Sequence, residues 1–248
     1  MAFLLLAVDT SGRNGSLALA RASADQSEID ICEVVPLTGG AFSAQLVPQI
    51  AALLKKYGYS KNDLGAFAVV TGPGSFTGLR VGLAAIKALA EGLEKPIAAI
   101  SLLEAIAWST NLHVDGQLRV LPALDAGRGD VYAGDYELGP CELESQVGMK
   151  IRKLSERLSS REEFVARLSG AEAARKTVVT PDASLAAYLR TAGSASGIRI
   201  ELIEYPDSGV IARLGWEHLR RGEAVLPEEL EANYIRHSDA EIFSKPKA

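Results

Sequence analysis

A glycine-rich turn between a strand-like segment and a helix-like segment is the feature that most constrains how this chain can fold. Residues 64–71 form an apolar run typical of a buried strand, and residues 76–91 have the periodicity of a helix. The two segments are joined within the sequence TGPGSFTGLRVG at residues 71–82. A strand that enters a helix through a short glycine turn is a common unit of α/β proteins, so this junction predicts that class.

The same turn could bind an anion, because a helix N-terminus offers free backbone N–H groups. It does not match the phosphate-binding patterns, since no Gly-Lys-Ser/Thr follows it and the glycines at 72, 74 and 78 do not fit the dinucleotide spacing. Ser75 also lacks the flanking glycines that mark a hydrolase nucleophile. We therefore predict a tight turn whose glycines let the helix pack closely against its surroundings.

Strand and helix patterns alternate along both halves of the chain. The first half has strand-like segments at residues 3–8, 16–21, 29–35, 64–71 and 97–100, with helix patterns at 44–57 and 76–91. The second half has a hairpin pattern at residues 118–136 and helix patterns at 161–168, 183–191 and 210–221. We predict two similar α/β lobes, at residues 1–103 and 104–226, followed by a tail at residues 227–248.

The amino-acid composition excludes several classes of protein. Hydrophobic residues make up 48% of the 248 residues and charged residues 23%, which excludes a disordered chain. Cys32 and Cys141 are too few for a disulfide framework, and the apolar residues 2–8 are too short for a membrane span or a signal peptide. A net charge of −5 argues against a protein that binds nucleic acid by itself. We expect a cytoplasmic protein with no membrane contact.

Residues 150–176 depart from this acidic balance. They contain eight Lys and Arg against four Glu, a local excess of +4. A solvated helical face is the interpretation that we favour, and contact with RNA phosphates is the alternative.

Two helix patterns, at residues 44–57 and 76–91, have more apolar surface than one core contact requires. The first carries a stripe of Leu46, Ile50, Leu53 and Tyr57, beside a neighbouring stripe of Ala44, Val47, Ala51 and Leu54. The second carries a stripe of Gly78, Gly82, Ala85 and Leu89. A glycine inside a helix costs about 1 kcal/mol relative to alanine, so close approach of another backbone should offset that cost. Either both helices are enclosed by their own chain, or the stripes form an interface with another subunit. We take the interface as the prediction.

Two aspartates each end a strand pattern and precede a turn of small residues. One group consists of Asp9, Thr10, Ser11 and Gly12, and the other begins at Asp125. Actin-like and sugar-kinase-like folds use such a pair to hold Mg²⁺ and nucleotide phosphates between two lobes. Capping of a turn by aspartate explains the same pattern, so both interpretations stay open.

Four motifs occur in a fixed order along the chain. They are DTS at 9–11, TGPGSFTGLRVG at 71–82, LDAGRGDVY at 124–132 and EANYIRHSDAE at 231–241. Together they resemble the bacterial TsaB family, also called YeaZ, over nearly the whole chain. The glycine block is too specific for a chance match.

The resemblance implies an α/β fold of the actin/Hsp70-like (ASKHA) type with two lobes. It also implies a non-catalytic subunit that binds TsaD, the enzyme that adds a threonylcarbamoyl group to the adenosine next to the anticodon. The ATPase TsaE joins that complex, and the two N-terminal helices pack against their counterparts on TsaD or, without TsaD, on a second copy of the chain. No cofactor is implied, and contact with tRNA is expected to be indirect or weak.

The resemblance further implies that this chain is the inactive relative. The catalytic relative binds its metal through two histidines at i,i+4, after the short strand that follows the glycine helix. Aligned on Glu104, the same positions here are Leu102 and Ile106, whose side chains cannot bind a metal. The histidines at 113, 218 and 237 share no such spacing, so we predict neither a metal site nor a catalytic residue.

Two enzymatic alternatives remain. An ATP-dependent phosphotransferase or ATPase of the same fold would use Asp9 and Asp125. A peptidase is suggested by older names of the relatives, but the missing histidine pair and serine motif argue against it. Arg13, Asn14 and Gly15 are bulkier and more polar than the phosphate loop of active relatives, so we expect no tight ATP binding by this chain alone.

Overall fold

The computed structural model describes residues 3–25, 27–110, 116–140, 149–168, 176–193 and 197–236. The first half forms a five-stranded sheet whose strand order is β3-β2-β1-β4-β5. Its elements are β1 (Leu4–Asp9), β2 (Gly15–Ala22), β3 (Ile29–Leu37), α1 (Phe42–Lys56), β4 (Leu64–Gly72), α2 (Phe76–Leu93) and β5 (Ile97–Ser101). The first three strands pair antiparallel, and β4 and β5 extend the sheet in parallel.

The second half repeats this plan. Its elements are α3 (Leu102–Trp108), β6 (Leu118–Gly127), β7 (Asp130–Pro140), β8 (Met149–Ser160), α4 (Arg161–Arg167), β9 (Lys176–Thr180), α5 (Ala183–Ala192), β10 (Arg199–Leu202) and α6 (Ser208–Arg220). The second sheet has the order β8-β7-β6-β9-β10. Counted within its own half, each sheet therefore runs third, second, first, fourth, fifth. The predicted α/β fold with two lobes, each a mixed sheet flanked by helices, is confirmed.

The first sheet is covered on both faces, which explains why its strands are continuous apolar runs. Leu4, Leu6 and Val8 of β1 face α1 and α2, whereas Leu5 and Ala7 face the opposite side, where α6 packs. The helices α1 and α2 therefore form an outer layer on one face of this sheet. Within the described ranges, no helix combines the length and the apolar character that crossing a membrane requires.

Helix α6 belongs to the first sheet, although the predicted boundaries placed it in the second lobe. Ile211 and Leu214 share a hydrophobic cluster with the first sheet, and a Cβ added at Gly215 would lie 2.6 Å from the Cβ of Ala68 on β4. The chain thus returns to the N-terminal lobe after β10. Helical periodicity identifies the apolar face of α6 but not the sheet that it covers, so the boundary at residue 226 is wrong for this helix.

The basic segment begins with an edge strand, where we predicted a helical face. β8 pairs antiparallel with β7, and the side chains of Lys150, Arg152 and Lys153 are exposed. Charged side chains are typical of edge strands, because they oppose pairing with another chain. The pattern also gives no signal for β9 and β10, which are only five and four residues long.

Candidate functional site

A cavity of about 660 Å³ lies in the cleft between the two lobes. Its walls include Ser11, Gly12 and Arg13 from the β1–β2 turn, Gly74 and Ser75 from the glycine block, and Asp125, Asp182 and Tyr205 from the opposite side. Hydroxyl, carboxylate and backbone groups from several segments therefore face one space.

Asp9 ends β1 behind the cavity wall and is only 1% exposed. The backbone N–H and the hydroxyl of Ser11 both donate to its Oδ1, at 2.7 and 2.6 Å. Burial raises the pKa of the Asp9 carboxyl from 3.8 to about 6, and these two hydrogen bonds offset only part of that rise. The Ser11 hydroxyl also lies 3.3 Å from the hydroxyl of Tyr205. These contacts are those of a residue that holds a turn in place.

The glycines of the block make room for this turn. A Cβ added at Gly74 would lie 2.5 Å from the carbonyl oxygen of Ser11. A Cβ at Gly78 would collide with the carbonyl oxygen of Thr10, and one at Gly82 with its hydroxyl oxygen. The predicted close backbone approach is therefore present, but the partner is the chain's own β1–β2 turn. The assignment of Gly78 and Gly82 to an interface with another subunit is wrong.

Asp125 lies on the opposite wall and is exposed. Its Oδ1 accepts hydrogen bonds from the Arg161 guanidinium and from the N–H of Gly127, both at 3.1 Å. Its own N–H donates to Asp182 at 2.7 Å. Of the nucleotide-binding candidates, Ser11, Gly12 and Asp125 line the cavity, whereas Asp9 and Thr10 are buried behind it. The two aspartates therefore do not both face the cavity, as a magnesium-binding pair would.

Helix α3 has aliphatic side chains at the two positions where the resemblance would place metal ligands. Leu102 and Ile106 are fully buried in the hydrophobic core. Between them, Glu104 Oε1 lies 2.9 Å from His218 Nε2, which ties α3 to α6. These residues do not fit a metal ion, because the aliphatic side chains have no lone pair and the carboxylate already has a partner.

No group of three or more His, Cys, Asp or Glu side chains in the described part of the chain is arranged to bind a metal. His113, His237 and Cys141 lie outside the described residues. The sequence predicts no partner for the Glu104 carboxylate, but in the structure it contacts His218, 114 positions away. No short-range pattern could have found that pair.

The outward face of α1 is apolar, but not along the predicted stripe. Leu46, Ile50 and Leu53 are 1–5% exposed and pack against the first sheet, so their assignment to an interface is wrong. Tyr57 follows the helix, is exposed and donates its hydroxyl to the Cys32 carbonyl at 2.8 Å. Three residues of the neighbouring stripe, Ala44, Val47 and Ala51, face outward together with Pro48 and Ala52, whereas its fourth member, Leu54, is buried.

Helix α2 lies beside α1 on the same face of the sheet and extends this apolar surface. Ala84 and Ala88 of this helix are exposed, and Val81, Ala85 and Leu89 are half-buried, since they also pack against the core of the first sheet. We call these five residues and the five outward residues of α1 the outer helix patch. Of these residues, Ala85 and Leu89 also belong to the interface stripe that the sequence predicts for this helix.

The tail links both lobes through contacts that the sequence pattern does not predict. The N–H of Asn233 donates to the Thr71 carbonyl at 2.8 Å, and its side-chain Nδ2 donates to Glu156 at 2.7 Å. The nearly buried Glu156 carboxylate also accepts hydrogen bonds from Ser101 and Tyr136. One carboxylate therefore joins β5, β7 and β8 to the tail. Its only sequence signal is an acidic residue within a basic segment.

Comparison with known proteins decides the family. The sequence model of the family described as TsaD, tRNA N6-adenosine threonylcarbamoyltransferase, matches residues 34–241. The chain belongs to this family. The matched range includes the glycine block, α3 and the β6–β7 hairpin, which together form most of the cleft.

Among curated relatives, the chain is similar to proteins named for threonylcarbamoyladenosine biosynthesis. It is 36% identical to the "tRNA threonylcarbamoyladenosine biosynthesis protein TsaB" of Bacillus subtilis over 143 residues, which are 58% of this chain and 59% of that protein. It is 33% identical to TsaB of Escherichia coli over 136 residues, 54% of each. The chain thus spans between half and two thirds of these relatives. The resemblance to TsaB is confirmed.

A solved structure extends the likeness to the whole fold. The protein is described as an uncharacterized protein with similarity to peptidase YeaZ, from Pseudomonas aeruginosa. It superposes with a TM-score of 0.69 at 24% identity, covering 94% of this chain and all of the other. At that identity the likeness establishes the fold alone.

Proposed function

We propose that this TsaD-family chain is a non-catalytic subunit in the synthesis of N6-threonylcarbamoyladenosine, on the adenosine next to the tRNA anticodon. In this proposal it binds TsaD through the outer helix patch, and TsaE joins the complex. The similarity to TsaB supports the pathway. We place the chain in the cytoplasm, together with the tRNA that the pathway modifies.

The observation that carries the proposal is the outer helix patch. Two adjacent helices pack their large side chains onto the first sheet and present alanine, valine and proline outward. A contiguous apolar surface on a soluble domain marks an interaction site. Small side chains let another pair of helices approach closely, and TsaD shares the family and hence the expected pair. A second copy of the chain would use the same patch in an isologous dimer.

The residues of α3 support a non-catalytic role. In the proposed complex the metal chemistry belongs to TsaD, because Leu102 and Ile106 cannot bind a metal in this chain. Leu102 borders the cleft cavity, whereas Ile106 is fully buried in the core. Histidines at both positions would therefore not by themselves form a metal site at the cleft.

An ATP-dependent phosphotransferase or ATPase is the less favoured alternative. Its support is the size of the cleft cavity and the presence of Asp125 on its wall. Against it, Arg161 already pairs with the Asp125 carboxylate, and Asp9 is buried and held by Ser11. Titration calorimetry with Mg–ATP on the isolated chain distinguishes the two functions, because stoichiometric binding would favour the enzyme.

The substitution Val47→Glu tests the interface. Val47 is 55% exposed on the outward side of α1, so the change places a charge in the patch without disturbing the core. We expect the affinity for TsaD to fall about 100-fold, because an unpaired carboxylate would be buried in the complex. Titration calorimetry with purified TsaD measures the affinity, and size-exclusion chromatography with light scattering reports the oligomeric state of the free variant.

Gln49→Glu is the matched control. Gln49 is exposed on the same helix and lies seven residues before Lys56, which pairs with Glu33 of the edge strand β3. This places the added charge on the flank of α1 away from α2. We expect Gln49→Glu to bind TsaD like the parent chain. An unchanged affinity for Val47→Glu would contradict the proposed interface.

A further inference from the structure

A second cavity, of about 460 Å³, lies where α2 begins, beside the β6–β7 hairpin and the tail. It shares Pro73, Gly74, Ala126, Gly127 and Tyr132 with the cleft cavity, but the proposed function makes no use of it. Its walls combine aromatic rings with arginines, namely Phe76, Tyr132, Tyr234, Arg128 and Arg236. We call these five residues the aromatic–arginine site.

The rings form an ordered platform that stays open to solvent. Phe76 and Tyr234 are 40% and 38% exposed, and their ring centroids are 5.1 Å apart. The Arg80 guanidinium lies 3.8 Å from the Phe76 ring centroid, and its Nε donates to the Tyr234 hydroxyl at 3.4 Å. Large exposed rings held by such contacts are pre-organised for stacking, because little side-chain freedom remains to be lost.

Two arginines bring guanidinium groups, which are strong hydrogen-bond donors, to the lining of this cavity. The described residues that line it include Arg128 and Arg236 but no carboxylate. Asp130, which pairs with Arg236, lies outside the lining. Arg128 is exposed and has a φ of 57°, in the left-handed region that residues other than glycine rarely adopt. A strained backbone at a residue where glycine would be relaxed points to a role for the arginine side chain.

We propose that the aromatic–arginine site binds one unstacked nucleotide of RNA, with the base on Tyr234 and the phosphate on Arg128 and Arg236. This inference rests on the proposed function, which supplies RNA as the substrate class. Single-stranded loops are the parts of RNA whose bases can leave the stack and lie on aromatic side chains. Phe76 is the first residue of α2, the helix that also carries half of the outer helix patch, so RNA held by TsaD can extend onto the site.

An acidic peptide is the other class of ligand that arginines could hold. Its carboxylates would use Arg128 and Arg236 but would gain little from the open face of Tyr234. A nucleotide uses both kinds of group, because every base has a face that stacks on a ring and every phosphate accepts hydrogen bonds from arginine. The combination of rings and arginines therefore favours RNA.

The test measures RNA binding to the full chain in complex with TsaD and, separately, to the chain alone. The probe is a fluorescein-labelled RNA hairpin with the sequence of a tRNA anticodon stem and loop, and the readout is fluorescence anisotropy at several salt concentrations. With Tyr234→Ala we expect about tenfold weaker binding, because one stacked base is lost. With Arg128→Gly we expect the slope of log affinity against log salt to fall by about 0.7 to 1, because one phosphate contact is lost.

Arg128→Gly guards against a folding artefact, since glycine adopts a φ of 57° more easily than arginine does. Arg190→Ala, on the exposed side of α5 and outside the cavity, is the matched charge control and should bind RNA like the parent.

Three other outcomes would contradict either the nucleotide site or the proposed function. RNA binding that is absent from the parent complex, or unchanged in both Tyr234→Ala and Arg128→Gly, overturns the proposed nucleotide site. If both variants instead lose TsaD while the RNA affinity of the chain alone is unaltered, the site holds a peptide of the partner and the proposal is again overturned. Failure of the parent chain to bind TsaD contradicts the proposed function instead.

Discussion

Gly78→Ala is expected to lower the free energy of unfolding by about 3 kcal/mol or more. The added Cβ would collide with the carbonyl oxygen of Thr10, a backbone atom that cannot move aside as the end of a flexible side chain could. Thr10 is itself fixed, because it is buried and donates its hydroxyl to the Gly78 carbonyl at 2.8 Å. Urea unfolding followed by circular dichroism measures the change.

Gly92→Ala, in the same helix, is the matched control. A Cβ at Gly92 meets no atom within 4 Å, so only the helix propensity of the residue changes. We expect this variant to be more stable than the parent by about 0.5–1 kcal/mol. If the two substitutions shifted stability in the same direction by similar amounts, the contact between α2 and the β1–β2 turn would not be the reason for Gly78.

The glycine stripe shows where sequence reasoning about this chain succeeds and where it ends. The spacing of Gly78 and Gly82 on one helix face predicts that another backbone segment approaches this face closely, and such a segment is present. The spacing does not identify that backbone, because the contact is with Thr10, 68 positions earlier in the chain. Local pattern therefore predicts the need for a contact, and only the folded chain supplies the partner.

The two stripes of α1 show a related limit. Both are apolar, and periodicity alone gives no reason to prefer one as the buried face. Side-chain volume gives that reason: burying a leucine or isoleucine contributes about 1.5–3 kcal/mol, and alanine much less, so the larger stripe faces the sheet. Leu46 and Ile50 are accordingly buried, whereas Ala44 and Val47 face solvent. Ranking the two stripes by volume therefore predicts the outward position of Ala44, Val47 and Ala51 from the sequence, but not the burial of Leu54.

The second lobe was harder to predict for a different reason. Its strands β9 and β10 are too short for a clear period, and β8 carries so many charges that it does not resemble a strand. Glu156, on β8, meets Asn233 of the tail across 77 positions. Contacts of this kind hold the lobes and the tail together, but they leave no local signal in the sequence.

Asp9→Asn is expected to raise the free energy of unfolding at pH 7.5 by up to about 3 kcal/mol. Burial raises the pKa of the Asp9 carboxyl to about 6 in the folded chain, against an ordinary value of 3.8. The contribution of this group to stability is therefore fully present below pH 3.8 and is lost as the pH rises through about 6. The gap between the two values corresponds to about 3 kcal/mol. Asparagine never ionises and keeps an oxygen for the two donors of Ser11.

Urea unfolding of both chains between pH 4 and pH 8 measures this effect, and Asp25→Asn supplies a control of opposite sign. Asp25 is exposed, and hydrogen bonds from the Ser23 hydroxyl and then from Ser27 lower its pKa to about 2. Its stabilising contribution is present above pH 3.8 and is lost as the pH falls through about 2, so Asp25→Asn should be less stable than the parent at pH 7.5. Stability curves of Asp9→Asn and the parent that stay parallel from pH 4 to pH 8 would show that Asp9 does not titrate near 6. The buried carboxylate behind the cleft would then carry its charge without destabilising the fold.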